Sequence, residues 1–255
     1  MSNAQRLRPA PIAMLAVAAL LAACQAASLP SPSPTAKPTP IPTPGPPLGA
    51  DVIASFLKIV GDPKLPMHVV LDGSVDVAAG STAQRLTIGF DVDISGRDAH
   101  GKANVDVGPG AVSFEMLLVQ DLAYLNNHGT WTEIPGYRQG TPLNPFANLT
   151  GQDDLTYRGY EYRSEGRVHH LVSRVWLGGD VAAMADQGWS DPVIDYNVTD
   201  IYVFDDGTPL QMHVDAGVSG TYSGLAATGK FVMSYGFTKV GVPVTIPAPQ
   251  APAPT

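Results

Sequence analysis

Long stretches of this chain alternate apolar and polar residues with a period of two, and no other feature constrains the fold as strongly. The alternation occupies these stretches: 67–77, 85–94, 103–107, 112–118, 210–219 and 231–237. Turn sequences such as Ser95-Gly96 and Asp205-Asp206-Gly207 separate them. Successive side chains of a strand point to opposite faces of a sheet, so the pattern predicts strands with one apolar and one wet face. Short connections imply antiparallel hairpins, and the spacing predicts about ten or eleven strands.

One amphipathic helix precedes the strands. Ile53, Phe56, Leu57 and Val60 follow one another at helical spacing, and Gly61 and Pro63 come directly after them. This pattern predicts a helix over residues 51–60 with one apolar face. A second short helix is expected at 180–187. The fold class is therefore mainly β, with the N-terminal helix and one or two short helices lying across the apolar face of the sheet.

The first 23 residues have the composition of a secretory signal. Arg6 and Arg8 precede an apolar run from Ile12 to Leu21, which is short for a membrane-spanning segment. The run ends in Leu21-Ala22-Ala23-Cys24, which resembles the lipobox of bacterial lipoproteins. That resemblance implies cleavage before Cys24 and attachment of diacylglycerol and a further acyl chain such as palmitate. Cys24 is the single cysteine of the chain and cannot form an internal disulfide.

Proline dominates the next segment and the C-terminus. Residues 29–48 contain nine prolines, which favour extended polyproline II and remove backbone donors. The domains expected are a signal peptide at 1–23, a lipidated cysteine with a proline-rich tether at 24–48, a folded domain at 49–245 and a proline-rich tail at 246–255. The net charge of −8 becomes more negative once 1–23 are removed, which argues against nucleic acid as a partner.

Catalytic and metal-binding patterns are weak throughout. His169 and His170 are adjacent on a predicted strand, so they point to opposite faces, and the other histidines are scattered. Ser55 and Lys58 have the spacing of penicillin-binding enzymes, but the partner motifs of those enzymes do not accompany them. The acid pairs Asp153-Asp154 and Asp205-Asp206 fall in predicted turns, where carboxylates cap backbone amides. We therefore expect no catalytic residues, no metal and no cofactor, and the chain is interpreted as a non-enzyme.

Several of these features together resemble the LppX/LprG lipoprotein family. They are the opening helix, the long meander, the segment Val119–Trp131 and the late hairpin Tyr202–Leu210. Members of this family are related in fold to the LolA and LolB carriers. The resemblance implies a strongly curved antiparallel half-barrel whose apolar cavity binds acyl chains, and a role in moving lipids or lipoproteins across the cell envelope.

The apolar faces offer more surface than the identifiable helices can cover. Flexible methionine side chains suit adaptable apolar binding surfaces. The expected cavity residues are Ile53, Phe56, Leu57, Val60, Phe90, Phe114, Met116, Met212 and Met233. We expect an extracytoplasmic monomer held at the cell membrane by acyl chains on Cys24, with a lipid or acylated ligand and an envelope transporter as partners. The alternatives are an envelope interaction or sensor module with a closed core and, with less support, a hydrolase.

Overall fold

The computed structural model describes residues 48–108, 110–127, 129–134, 143–177 and 189–248. This part of the chain contains one α-helix, α1 (Gly49–Val60), and a 3₁₀ turn at Gln152–Asp154. The strands are β1 (Pro66–Ala79), β2 (Thr82–Ser95), β3 (Asp98–Asp106), β4 (Ala111–Val119), β5 (Leu122–Asn127), β6 (Thr130–Glu133), β7 (Leu155–Arg163), β8 (Gly166–Ser173), β9 (Trp189–Val203), β10 (Pro209–Tyr222) and β11 (Leu225–Thr238).

All eleven strands form one antiparallel sheet in the order β6-β5-β4-β3-β2-β1-β11-β10-β9-β8-β7. The sheet consists of two meanders, β1 to β6 and β7 to β11, which join where β1 pairs with β11. It is not closed, because β6 and β7 are its two edges. The predicted curved antiparallel half-barrel of ten or eleven strands with an N-terminal helix is confirmed.

The two faces of the sheet differ as the alternation predicts. In β2, Ile88, Phe90, Val92 and Ile94 are buried, while Asp91 between them is exposed. The inward-facing side chains of the strands form one contiguous apolar core with α1. This apolar face is called the concave face below, and the opposite polar face is called the outer face.

Helix α1 covers part of the concave face. It begins where Gly49 meets the ring of Tyr157 on β7, and it ends at Val60, shortly before β1 begins in the middle of the sheet. Val52, Ile53, Phe56 and Val60 form its buried side. Asp51 in the first turn and Lys58 in the last complement the partial charges of the helix ends.

The segment after the meander β1 to β6 holds α1 in place. Phe146 packs between Phe56 of the helix and Phe237 of β11, with ring centroids 5.2 and 5.0 Å away. The side-chain amide of Asn144 donates to the Val60 carbonyl at 2.7 Å and thus satisfies one of the unpaired groups of the helix C-terminus. Helix and sheet are thereby joined by both apolar and polar contacts.

The turns of the sheet lie at two opposite ends, which are named here for later use. The helix end contains the turns 61–65, 96–97, 120–121, 164–165, 204–208 and 239–242. The far end contains the hairpin tips between β1 and β2, β3 and β4, β5 and β6, and β10 and β11, together with the start of β9. Helix α1 lies near the helix end, since the β9–β10 turn at Gly207 touches the backbone of Ser55 and Phe56.

Several expectations fall outside the described residues. They are the signal peptide, Cys24, nearly all of the proline-rich tether, the helix at 180–187 and most of the C-terminal tail. They stay predictions. Within the described part of the chain, no helix has both the length and the apolar character that crossing a membrane requires.

Candidate functional site

The concave face and the helix that covers it form the candidate site. Five of the nine expected cavity residues lie on strands of this face, and the other four lie on α1. Seven of the nine are buried in the core cluster, and Leu57 and Phe114 pack against it partly exposed. Phe56 and Met212 are fully buried, and Phe90 is 1% exposed. The sequence therefore identified side chains that the fold brings together. Whether they line a space for a ligand stays a prediction.

The floor of the site is built from neighbouring strands that meet at the β1–β11 pairing. Gly73 of β1 lies directly opposite Met233 of β11, and the Met233 sulfur occupies the position where a Cβ at residue 73 would lie. Ile88 of β2 lies beside the same position. Because residue 73 is glycine, the Met233 thioether can lie flat against the sheet at this position. A flexible methionine side chain there can adjust to the groups that pack on it.

The apolar surface continues from α1 toward the far end, where it becomes less buried. Val77, Leu86, Phe114 and Phe231 lie on this continuation and pack against the core while remaining partly exposed. A second small cluster around Trp189, Val218 and Ala227 follows at the far end itself. The concave face is therefore packed near the helix end and only partly covered by described residues beyond it.

A short strap, residues 174–177, crosses this partly covered region. The side-chain amide of Asn197 donates to the Val175 carbonyl at 2.7 Å, and that of Asn148 donates to the Trp176 carbonyl at 3.1 Å. The Trp176 ring contacts Phe231 edge to face at a centroid distance of 5.8 Å. These contacts hold an aromatic side chain over the sheet between the two apolar clusters.

Two buried polar atoms in this region lack a hydrogen-bond partner among the described residues. They are the indole Nε1 of Trp176, a donor, and Oδ1 of Asn197, an acceptor. Asn197 and the fully buried Thr199 stand at core-facing positions of β9, where the alternation would place apolar residues. This break in the pattern is the signal by which the sequence could have revealed the strap's attachment, which our sequence analysis missed.

A partly buried polar network fixes the β7–β8 edge to the β9–β10 turn beside the start of α1. His169 is fully buried; its Nε2 lies 2.7 Å from Oδ1 of Asp205 and its Nδ1 lies 2.9 Å from the hydroxyl of Tyr157. Arg167 donates to both oxygens of Asp205, at 2.7 and 2.5 Å. A carboxylate can only accept, so a neutral imidazole satisfies both contacts if Nε2–H donates to Asp205 and the Tyr157 hydroxyl donates to Nδ1.

The electrostatics of this network follow from its contacts. Hydrogen bonds from Arg167 and then from His169 lower the pKa of Asp205 below its ordinary value, against the opposing effect of burial. Burial is the main cause that raises the pKa of Tyr157, so its hydroxyl stays protonated and able to donate. The network therefore consists of the Arg167–Asp205 ion pair, extended through hydrogen bonds by His169 and a protonated Tyr157.

The sequence expectation for Asp205 was wrong. Its neighbour Asp206 does cap the turn, accepting from the Thr208 amide at 2.9 Å, whereas Asp205 pairs with Arg167 and His169 on β8. The physical reason is tertiary, because the β8–β9 pairing brings two donors to the first residue of the turn. An Asp154 carboxylate in the other acid pair behaves as expected, accepting from the backbone amides of Thr150 and Gly151, which lower its pKa.

The other candidates for chemistry are dispersed. His170 points to the outer face, opposite to His169 as expected, where it stacks on Tyr202 at 4.8 Å and pairs with Asp200. Lys58 is exposed on α1, and Ser55 lies beneath the β9–β10 turn. The described residues contain no group of three or more potential metal ligands. We therefore assign no catalytic role to any of these side chains.

A shallow groove of about 470 Å³ lies mainly among outer-face residues near the far end. Asp76, Arg85, Tyr196 and Lys230 contribute to its walls. Arg85 lies 3.8 Å from Asp76, Lys230 lies 3.7 Å from Asp215, and the Tyr196 hydroxyl donates to Asp215 at 2.9 Å. Its cations face carboxylates of the same surface, so the groove offers no unbalanced charge to a ligand.

Comparisons with known proteins identify similar solved structures only. No family model matches the chain, and no curated protein matches it. The chain is similar to LprF from Mycobacterium bovis, with 14% identity over 81% of this chain and 100% of that chain and a TM-score of 0.49. A LolA superfamily protein from Nitrosomonas europaea is also similar, with 9% identity, coverage of 77% and 94%, and a TM-score of 0.22. The fold described above rests on this chain's own strand order.

Proposed function

We propose that this protein is a lipid-anchored extracytoplasmic lipoprotein that binds an acyl chain against the concave face, in the region between α1 and the far end. In this proposal it acts as a monomer, carries lipids or acylated proteins across the cell envelope, and delivers them to an envelope transporter. It performs no catalysis.

The observation that carries the proposal is that the strands are much longer than helix α1, which lies across them, is wide. Strands β1, β2, β10 and β11 have 14 residues each, so each is about 46 Å long at about 3.3 Å per residue. Helix α1 has 12 residues and lies across the sheet, and a helix with its side chains is only about 10–12 Å wide. A large part of each apolar strand face therefore extends beyond the helix, where Leu86, Phe114 and Phe231 are partly exposed.

Polar atoms at the strap suit one end of an acylated ligand. A buried donor or acceptor without a partner costs about 1–3 kcal/mol. The Trp176 Nε1 hydrogen could regain an acceptor from the ester or carboxyl oxygens of a lipid, whereas the Asn197 Oδ1 atom needs a donor such as a glycerol hydroxyl or a protonated carboxyl group. Apolar surface on both sides of the strap would then contact the hydrocarbon chain.

A fluorescent fatty-acid probe tests the binding site directly. Val77 lies on the far half of the concave face, and Val70 lies on the same strand but on the outer face. Val77→Trp should fill the proposed space and weaken probe binding about tenfold, which corresponds to about 1.4 kcal/mol. Val70→Trp is the matched control and should leave binding unchanged. Equal affinities of the two variants and the wild type, or the absence of probe binding to the wild type, would refute the site.

The anchor has its own test. Cys24→Ser removes the acceptor thiol of the Leu21–Cys24 box, so the chain should remain an uncleaved precursor without acyl chains. Metabolic labelling with palmitate measures this. Equal labelling of the variant and the wild type would show that the chain is not anchored through Cys24.

The burial of seven expected cavity residues favours a second function. A concave face that is packed throughout would make the protein an interaction or sensor module of the envelope with a closed core. In that case Val77→Trp should destabilise the fold by about 1–3 kcal/mol, because an overpacked core must shift to admit the larger side chain. Urea unfolding of the same variants, measured beside probe binding, distinguishes the two functions.

A further inference from the structure

The turns at the two ends of the sheet differ sharply in charge. At the helix end, each of the six turns carries at least one charged residue. These are Asp62, Lys64, Arg97, Asp121, Glu165, Asp205, Asp206 and Lys239. Such turns suit contact with water. This is the ordinary state of exposed connections in a chain whose net charge is −8.

The far end is almost free of charge. Its described residues are 78–84, 106–108, 110–113, 129–131, 189–194 and 219–228, and among them Asp106 and Asp191 are the charged residues. The Asp106 carboxylate accepts from the Gly108 amide of its own tip. Glycine, alanine, serine and threonine form most of these tips. A protein with this many acidic residues thus presents one end whose surface carries few charges.

Aliphatic side chains protrude from the tips of the far end. Val107, Val112, Val193 and Leu225 are 37%, 58%, 58% and 54% exposed. Leu225 reaches across to the β1–β2 tip, since a Cβ on Gly80 would lie 3.5 Å from its Cδ1. Behind Leu225, the rings of Trp189 and Tyr222 lie 5.7 Å apart and connect the rim to the apolar cluster of the concave face. The rim therefore joins exposed aliphatic groups to an aromatic layer just inside.

We propose that this far-end rim docks on the interfacial layer of a lipid bilayer. Aliphatic tips gain free energy by leaving water for the boundary between headgroups and acyl chains, and Trp and Tyr are enriched at that depth. Charged side chains at the same depth would be costly, which accounts for their scarcity on these tips. The tips also carry no cations that would select anionic headgroups, so the surface suits a neutral or zwitterionic bilayer. The docking holds whether or not the concave face binds an acyl chain.

Vesicle co-sedimentation tests the docking. The chain from Gln25 to Thr255 lacks the acyl anchor and retains every described residue, and its melting temperature is checked first. We expect it to bind phosphatidylcholine vesicles at millimolar lipid, with the same affinity when anionic lipid is added and when 0.5 M salt is present. Val107→Asp combined with Leu225→Asp should weaken binding at least tenfold. Both sites are exposed, so the fold should remain intact.

Val242→Asp is the matched control, because Val242 is 52% exposed but lies in a turn of the helix end. It should bind vesicles as the wild type does. Equal binding by all variants, no binding by the wild type, or binding that requires anionic lipid would overturn the proposal. So would a dimer, seen by light scattering, that the Val107 and Leu225 substitutions dissociate, since the rim would then be an interface between two copies. Fatty-acid probe binding, measured separately, reports on the concave face and not on the rim.

Discussion

Replacing the buried His169 by phenylalanine tests the polar network at the β7–β8 edge. The new ring keeps the volume that packs beside Tyr157 and Tyr160 but removes both nitrogens. The hydrogen bond to the Asp205 carboxylate contributes about 1.5–3 kcal/mol and the one from Tyr157 about 1 kcal/mol. Asp205 keeps its ion pair with Arg167, and water can replace the lost hydrogen bond because 48% of the Asp205 side chain is exposed. The lost stability should therefore lie toward the lower end of the summed range. We therefore expect the free energy of unfolding to fall by about 2.5–4 kcal/mol.

Urea unfolding followed by circular dichroism measures this loss, and the slope with denaturant should stay constant. The melting temperature should fall by roughly 5–15 °C for a domain of this size. His170→Phe is the matched control. The neighbouring His170 lies on the outer face, and its contact with Asp200 is partly exposed, so its loss should cost less than about 1 kcal/mol.

A cost of less than about 1 kcal/mol for His169→Phe, or equal destabilisation of the two variants, would show that His169 contributes no more to stability than the partly exposed His170. A double-mutant cycle with Tyr157→Phe adds a second criterion. The two substitutions should couple by about 1 kcal/mol, since either one removes the same hydrogen bond. If the two effects on the free energy of unfolding were strictly additive, the Tyr157 hydroxyl would contribute to stability independently of His169.

Three further predictions concern other parts of the chain. Asp205, whose pKa is lowered, stabilises the fold above the unfolded-state pKa of about 3.9 and loses this effect as the pH falls through the lower folded-state value. The stability deficit of Asp205→Asn should therefore be full at pH 6 and shrink below about pH 4 in urea titrations, and a deficit independent of pH would contradict it. Gly101→Ala should destabilise the domain by more than about 2 kcal/mol, because the new Cβ would overlap the backbone of Asp91 and Val92, whereas Gly110→Ala meets open space and should be neutral. Deleting residues 29–46 should change the melting temperature by less than about 4 °C, and a larger fall would show that the proline-rich segment packs on the domain.

The sequence predicted those parts of the fold where neighbouring residues alone determine the outcome. In 85–94 and 210–219 the alternation is regular, and the strands and their apolar faces appear as expected. Helix α1 begins two residues earlier than predicted and buries Ile53, Phe56 and Val60 as expected. The hydrophobic periodicity carries this information because one face of each element must leave water.

The parts that the sequence did not reveal depend on contacts between distant residues. Tyr157 and Tyr160 both face the concave side although their spacing is odd, because a bulge between Tyr157 and Gly159 shifts the register of β7. The partner of Asp205 is likewise set by the pairing of β8 with β9. The exposure of Phe114 depends on where the helix ends, and alternation within β4 does not encode that position.

The pairing of β1 with β11 has a consequence for how the chain folds and yields to force. Each meander is made of nearest-neighbour hairpins, which can form early, whereas this single seam joins residues as distant as His68 and Thr238. Contacts of such separation close slowly, so the seam should set the folding rate. The first residue of β1 and the last residue of β11 both lie at the helix end, where the Gly241 amide donates to the Pro66 carbonyl. Tension applied between the two termini would therefore break the hydrogen-bonded pairs between β1 and β11 one after another, beginning at the helix end, and would not load all of them at once. A domain tethered at its N-terminus and held at its C-terminus would thus unfold at low force.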